Sequence, residues 1–276
     1  MHLLNWIILF TAIGGVLSAL AASTFLAVSD RVRARVLPHL VSFATGALLS
    51  AALLGLLPHA MAGAGLGNAH EIGLTLLAGL LLFFVLEKMV LWRHCHADAC
   101  EVHVLPEPHG HAHSHNHNHA HAHDARRDKA SAMLILIGDG FHNVLDGVLI
   151  AAAFMTDVHL GVVTALAVCA HEIPQEVGDL AILLNGGMSR VRALTLNLLA
   201  SVTSVLGGVI AYFAMSEVRE VLPYAIAIAA SSFLYIAVAD LIPGLHRKVD
   251  PGSGAWQFLY IVLGVAVISV SHSLAH

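Results

Sequence analysis

Two short stretches of the chain carry ionisable and amide side chains at a spacing that could do chemistry. The first reads Gly138-Asp139-Gly140-Phe141-His142-Asn143-Val144-Leu145-Asp146-Gly147. Asp139, His142, Asn143 and Asp146 follow i, i+3, i+4, i+7, which places all four on one face of a single helix. The second reads His171-Glu172-Ile173-Pro174-Gln175-Glu176-Val177-Gly178-Asp179, in which Glu172, Gln175, Glu176 and Asp179 repeat that spacing and His171 lies one turn before Gln175. Two such stripes on consecutive antiparallel helices can face each other. The space between them would be lined by imidazole, carboxylate and amide, the donors that suit a borderline divalent cation. A proton relay uses the same residue types, and hydrogen bonding between helices uses them singly. Eight or nine polar residues in register exceed what mere helix glue requires, and the histidines favour metal over protons.

The surrounding sequence makes these groups expensive. The 276 residues are 58% apolar and only 11% charged, with mean hydropathy +0.79. A soluble domain carries about a quarter charged residues. The net charge is −5 with 13 Lys+Arg, so no basic patch for nucleic acid exists. The 3 cysteines are too few to staple a fold. Crossing a ~30 Å hydrocarbon core takes roughly 20 apolar residues as a helix. Eight stretches qualify, at about 4–28, 37–61, 71–92, 131–155, 160–185, 191–214, 222–245 and 255–274. The first does not read as a cleaved leader, because no cations precede it and Arg31, Arg33 and Arg35 follow it.

With eight spans, the cations Arg31, Arg33, Arg35, Lys88, Arg93, Arg126, Arg127, Lys129, Arg190, Arg192, Arg247 and Lys248 fall on one side, against Arg219 on the other. The positive-inside rule puts that side in the cytoplasm and both termini outside. An acid at a helix centre costs about 2.5–3.5 kcal/mol on insertion scales. Asp139, Asp146, Glu172, Glu176, Asp179 and Asp240 sit at such depth without a neighbouring Lys or Arg, so they need a partner or a watery cavity. Asp240, His59 and Glu87 stand alone in their spans and read equally as hydrogen-bonding residues or as pathway groups. Pro174 removes one helical hydrogen bond, leaving the Ala170 carbonyl without its partner, and predicts a strained turn in span five.

Residues 94–130 form the longest polar segment, on the cytoplasmic side between spans three and four. It holds His94, Cys95, His96, Cys100 and His103, then an alternating run at His109, His111, His113, His115, His117, His119, His121 and His123. Alternation with Ala, Ser and Asn gives no apolar face, so the expectation is a disordered tether that buffers metal. The domain division is therefore 1–93 for spans one to three, 94–130 for the loop, and 131–276 for spans four to eight with the site.

At the two stripes the chain resembles the ZIP family of divalent-metal transporters, and more closely its histidine-rich subfamily with a HExPHExGD signature. The segment HEIPQEVGD matches that signature except at one position, and IGDGFHNVLDG is similar to the subfamily's HNxxDG motif. The resemblance implies an all-α membrane bundle of eight helices, with spans four and five holding one or two metals. It implies His142, Asp146, His171 and Gln175 around one metal, and Asn143, Glu172 and Asp146 at a second, with Glu176 and Asp179 around the ligands or along the exit. Asp139, Asp240 and His59 are assigned to the same surroundings and pathway. It also implies movement of Zn²⁺ toward the cytosol. Gln175 stands where the signature has His, which predicts weaker Zn²⁺ binding and room for Fe²⁺, Mn²⁺ or Cd²⁺.

Leu56-Leu57-Pro58-His59 and Leu241-Ile242-Pro243 occupy similar ends of spans two and seven. They suggest an inverted repeat of spans one to three and six to eight around four and five, or prolines that simply end those helices. Gly207-Gly208 permits the helix contact a homodimer needs. Three other readings stand: an intramembrane zinc metalloprotease, because His171-Glu172-Ile173-Pro174-Gln175 approaches H-E-x-x-H, a cation-diffusion-type exporter, which would have six spans, and a receptor-like metal sensor that does not transport. Short loops favour a bacterial inner membrane.

Overall fold

The computed structural model describes residues 2–26, 28–94, 121–246 and 251–273. Cys95, His96, Cys100, His103, His109, His111, His113, His115, His117 and His119 lie outside the described residues. Among those described, every regular element is helical. Eight long helices follow one another: α1 (residues 3–26), α2 (residues 30–64), α3 (Ala69–His94), α4 (His121–Thr156), α5 (Val158–Asn185), α6 (Arg190–Ser216), α7 (residues 222–246) and α8 (Pro251–Ser273).

Seven of these are long and apolar enough to cross a membrane: Leu3–Phe25, Arg31–Ala64, Ala69–Met89, Ile135–Thr156, Arg190–Ser216, Arg219–His246 and Gly254–Ser271. The remaining helix, α5, has 28 residues, about 42 Å of helix, and so has the length. Its apolarity is lowered by the polar stripe itself, His171 through Asp179. The protein is a helical membrane bundle.

The helices pack in two groups. In one, α4 lies against α5 and α6, and α1 covers all three; in the other, α2 and α3 pack on α7, and α8 on α2. α5 meets α2 between the groups. Lipid tails supply no hydrophobic drive between helices, so close van der Waals packing must hold them together. Small residues supply it. A Cβ added at Gly147 would run into the Ser204 carbonyl oxygen, and one at Gly207 into the Val144 carbonyl oxygen, so α4 and α6 touch backbone to backbone. The shared core is correspondingly rich in alanine around a few large side chains, among them Leu48, Leu56, Ile150, Phe154, Leu160 and Phe233.

Two features depart from the sequence expectations, while α5 runs unbroken through Pro174, which sits inside it. Pro58 and Pro243 do not end their helices. Instead α2 and α7 each widen into a π turn, Ala51–Leu56 and Ile236–Leu241, that closes two residues before the proline. A widened turn makes room for a ring that would clash with the preceding turn and lacks an N–H. The equal offset gives the Leu-Leu-Pro and Leu-Ile-Pro likeness a structural counterpart. Finally, α4 begins at His121 rather than at 131. The intervening Ala-, Arg- and Lys-rich sequence has good helix propensity, which the histidine alternation concealed.

Candidate metal centre

The stripe of α4 and the stripe of α5 meet. His142, Asp146, His171 and Glu172 bring one ligand atom each to within 4.8 Å of one another. His142 Nε2 stands 3.3 Å from His171 Nε2. Asp146 Oδ2 is 3.3 Å from His171 Nε2 and 3.8 Å from His142 Nε2. Glu172 Oε1 is 3.4 Å from His142 Nε2 and 3.6 Å from His171 Nε2. Donors placed roughly 2.0–2.1 Å from a tetrahedral zinc are separated by roughly 3.3–3.4 Å. Five of the six edges of this quartet therefore lie at or slightly above that value, as in a cage that needs only a small contraction.

The chemistry of the donors agrees with the geometry. A carbonyl accepts only, so the contact of His171 Nδ1 with the Ala167 carbonyl oxygen, 3.2 Å away, makes Nδ1 the protonated nitrogen. The lone pair is then on Nε2, which faces the quartet. Two neutral imidazoles and two carboxylates sum to the charge that cancels a divalent cation. Both oxygens of Asp146 and both of Glu172 are buried without a hydrogen-bond partner. Buried acceptors are nearly always paired, and oxygens left so by the protein suit a cation as their partner. Side-chain exposure is 0% for Glu172 and 22% for His142, so the quartet opens on the His142 side. Phe233 of α7 lies edge-on to the His171 ring at 6.2 Å.

The other sequence-selected residues go elsewhere. Asn143 turns back on its own helix, donating to Asp139 Oδ1 at 3.0 Å and to the Asp139 carbonyl oxygen at 3.2 Å. Its Oδ1 and Asp139 Oδ2 are left buried and unpaired. Gln175 is half-buried, one turn beyond His171. Glu176 is fully buried and engaged by α6, accepting from Ser201 Oγ at 2.7 Å and from Asn197 Nδ2. Asp179 is buried, whereas Asp240 is exposed within the π turn of α7. His59 donates from Nδ1 to the Gly55 carbonyl oxygen at 2.8 Å. Glu87 accepts a hydrogen bond from Tyr235 on α7. His94 closes α3, and His121 and His123 open α4.

Asn197 and Ser201 are the functional neighbours that sequence reasoning undervalued. Their i, i+4 spacing on span six was a signal, but only the packing of α6 on α5 connects them to Glu176.

Against known proteins, the family model described as ZIP Zinc transporter matches residues 2–272. Zinc transporter ZIP13 of Mus musculus is 33% identical over 250 residues, covering 84% of this chain and 69% of that protein. Zinc transporter ZIP13 of Pongo abelii is 31% identical over 244 residues, covering 84% of this chain and 66% of its own. Zinc transporter foi of Drosophila melanogaster is 40% identical over 139 residues, 49% of this chain and 19% of that one. The chain thus spans about two thirds of the length of the ZIP13 proteins it matches. A match that takes in both polar stripes and nearly every helix leaves one conclusion: the chain belongs to the ZIP zinc transporter family.

Proposed function

We propose that this protein carries a divalent metal ion, zinc first, across the membrane toward the cytoplasm through the quartet of His142, Asp146, His171 and Glu172. The observation that carries the reading is the near-tetrahedral spacing of the four donors around carboxylate oxygens that no protein group satisfies. Membership of a transporter family supports transport over hydrolysis. The relatives compared above are all named zinc transporters, which favours neither the metalloprotease nor the cation-diffusion-type exporter.

The ion sheds water to enter, binds between α4 and α5, and leaves on the side where the cations of the short loops lie. Buried carboxylates and imidazoles that prefer one doubly charged ion give selectivity, because a monovalent ion would leave net negative charge in low dielectric. Asn143 and Asp139, each with an unpaired buried oxygen, serve as neighbours to the bound ion or as a second position for it. Gln175, with a neutral oxygen in place of an imidazole, widens the choice of ion to Fe²⁺, Mn²⁺ or Cd²⁺. The histidines of the segment between α3 and α4 receive the released metal. Both termini lie away from the cytoplasm, and the short connections favour a bacterial inner membrane. Saturable uptake of radioactive zinc by the protein reconstituted in liposomes, with competing ions present, tests this reading.

A further inference from the structure

Solvent reaches the quartet through His142. That side chain is 22% exposed, whereas those of Asp146, His171 and Glu172 are buried to 1% or less. The carboxylate oxygens of Asp146 and Glu172 have no partner in the protein, and such oxygens draw water as readily as they draw a cation. Something must keep water from them on the sides away from His142.

One of those sides is reached by α7, which meets α4 across the two groups of helices. Ile226, Ala229, Ala230, Phe233 and Ala237 of α7 are all buried and recur at helical intervals along one face. Alanine at 229, 230 and 237 lets the backbone of α7 come close and leaves the phenyl ring of Phe233 as the bulk between them. That ring lies edge-on to the ring of His171, with centroids 6.2 Å apart and planes at 61°. His171 is thus held twice. The Ala167 carbonyl oxygen holds Nδ1 at 3.2 Å, and the phenyl ring limits how far the imidazole turns. A phenyl ring makes no strong hydrogen bond, so it also fills space beside the imidazole against water.

The number of ligands around the ion is what this decides. Zinc has no geometric preference from its d electrons and accepts four ligands. Manganese favours six, chiefly oxygens and water. A dry site with four donors suits zinc and leaves manganese short of ligands.

We infer that Phe233 is a specificity-determining residue: it holds His171 in the quartet and excludes water on the α7 side, so that the ion keeps fewer than six ligands and zinc is preferred over manganese. Gln175 bears on which donors the ion meets, and Phe233 on how many. This inference deepens the transport reading and rests on its quartet, but its readout is coordination rather than uptake.

Cobalt(II) is the probe, because it accepts the ligands that zinc accepts and absorbs visible light strongly with four or five ligands and weakly with six. The full-length protein in detergent is titrated with Co²⁺ alone. The spectrum of a protein carrying His142→Ala and Glu172→Ala is subtracted, which removes the contribution of the histidine tract. The difference spectrum of the parent is expected to show the intense band. In Phe233→Ala the vacated space borders the ion and unpaired carboxylate oxygens, which are partners enough for water, and the band should weaken severalfold. Phe233→Leu keeps an apolar side chain there and should retain the band; Phe233→Val makes a smaller opening if Phe233→Ala does not fold. Displacing the band with Zn²⁺ or with Mn²⁺ measures preference, and the ratio of the two affinities should fall about tenfold in Phe233→Ala. A weak, six-coordinate spectrum in the parent overturns the inference without any substitution, and so does a Phe233→Ala spectrum equal to that of the parent. No difference spectrum at all would overturn the quartet as a metal site, and the role of Phe233 with it. Absence of uptake by a parent that shows the intense band would overturn the transport reading alone.

Discussion

His142 on α4 and His171 on α5 face each other Nε2 to Nε2 across 3.3 Å, with the carboxylates of Asp146 and Glu172 completing the quartet. Each lone pair that binds metal also binds a proton, so cation and protons compete for one space. Zinc affinity of the purified protein should fall as the medium is acidified, and binding should release protons. Calorimetric titration in two buffers of different ionisation enthalpy measures that release. Affinity independent of pH would exclude the imidazoles as ligands.

Gln175 tests the choice of ion. Replacing its amide by imidazole, Gln175→His, adds a donor zinc prefers one turn from His171. The KM for zinc should fall roughly tenfold, about 1.4 kcal/mol, and Mn²⁺ should compete less well. Uptake measured with and without excess Mn²⁺ reports both. Equal affinity and selectivity in the two proteins would remove Gln175 from the metal's surroundings.

The contact of Glu176 with α6 makes a stability prediction. Ser201→Ala and Asn197→Ala each leave a buried carboxylate oxygen without its donor. Such losses cost about 1–3 kcal/mol each. The thermal midpoint in detergent should drop for either variant, while the measured zinc affinity stays unchanged. A Glu176 that ligates metal directly would give the opposite pattern, with binding altered and stability little changed.

How much of this was legible before the structure follows from what sets each feature. The stripes on α4 and α5 depend only on helical period, and their spacing could be read directly from Asp139 to Asp146 and from Glu172 to Asp179. The cost of charge in a bilayer likewise marked them as special. What period cannot specify is which rotamers meet across a helix pair. Glu172, implied by resemblance at a second metal, lies in the same quartet as His142 and His171, whereas Glu176, one turn on, faces α6. That outcome depends on how α4, α5 and α6 pack together, with Asn197 and Ser201 of α6 reaching Glu176, a tertiary fact. Pro174 lies inside an α5 that continues on both sides of it, a continuity that the sequence around it does not dictate. Pro58 and Pro243 were visible, but the π turns before them depend on how α2 and α7 pack.

Asp157 carries a pH signature of its own. Asp157→Ala removes the bonds to the His159 and Leu160 amides, at about 1 kcal/mol. Its folded carboxyl titrates below the usual value. The stabilisation is therefore complete above about pH 4 and is lost as pH falls through the lowered folded value. The gap in thermal midpoint between the parent and Asp157→Ala should be full at neutral pH and close in stronger acid. A gap that widens on acidification would contradict the cap.

The central claim is that one cation is held by His142, Asp146, His171 and Glu172 on its way across the bilayer. Zinc uptake into proteoliposomes, compared between the parent and a protein carrying both His142→Ala and Glu172→Ala, tests it most directly. Saturable uptake by the parent, and none above protein-free liposomes for the double variant, is the predicted result. Undiminished uptake by the double variant, folded and inserted as well as the parent, would contradict it.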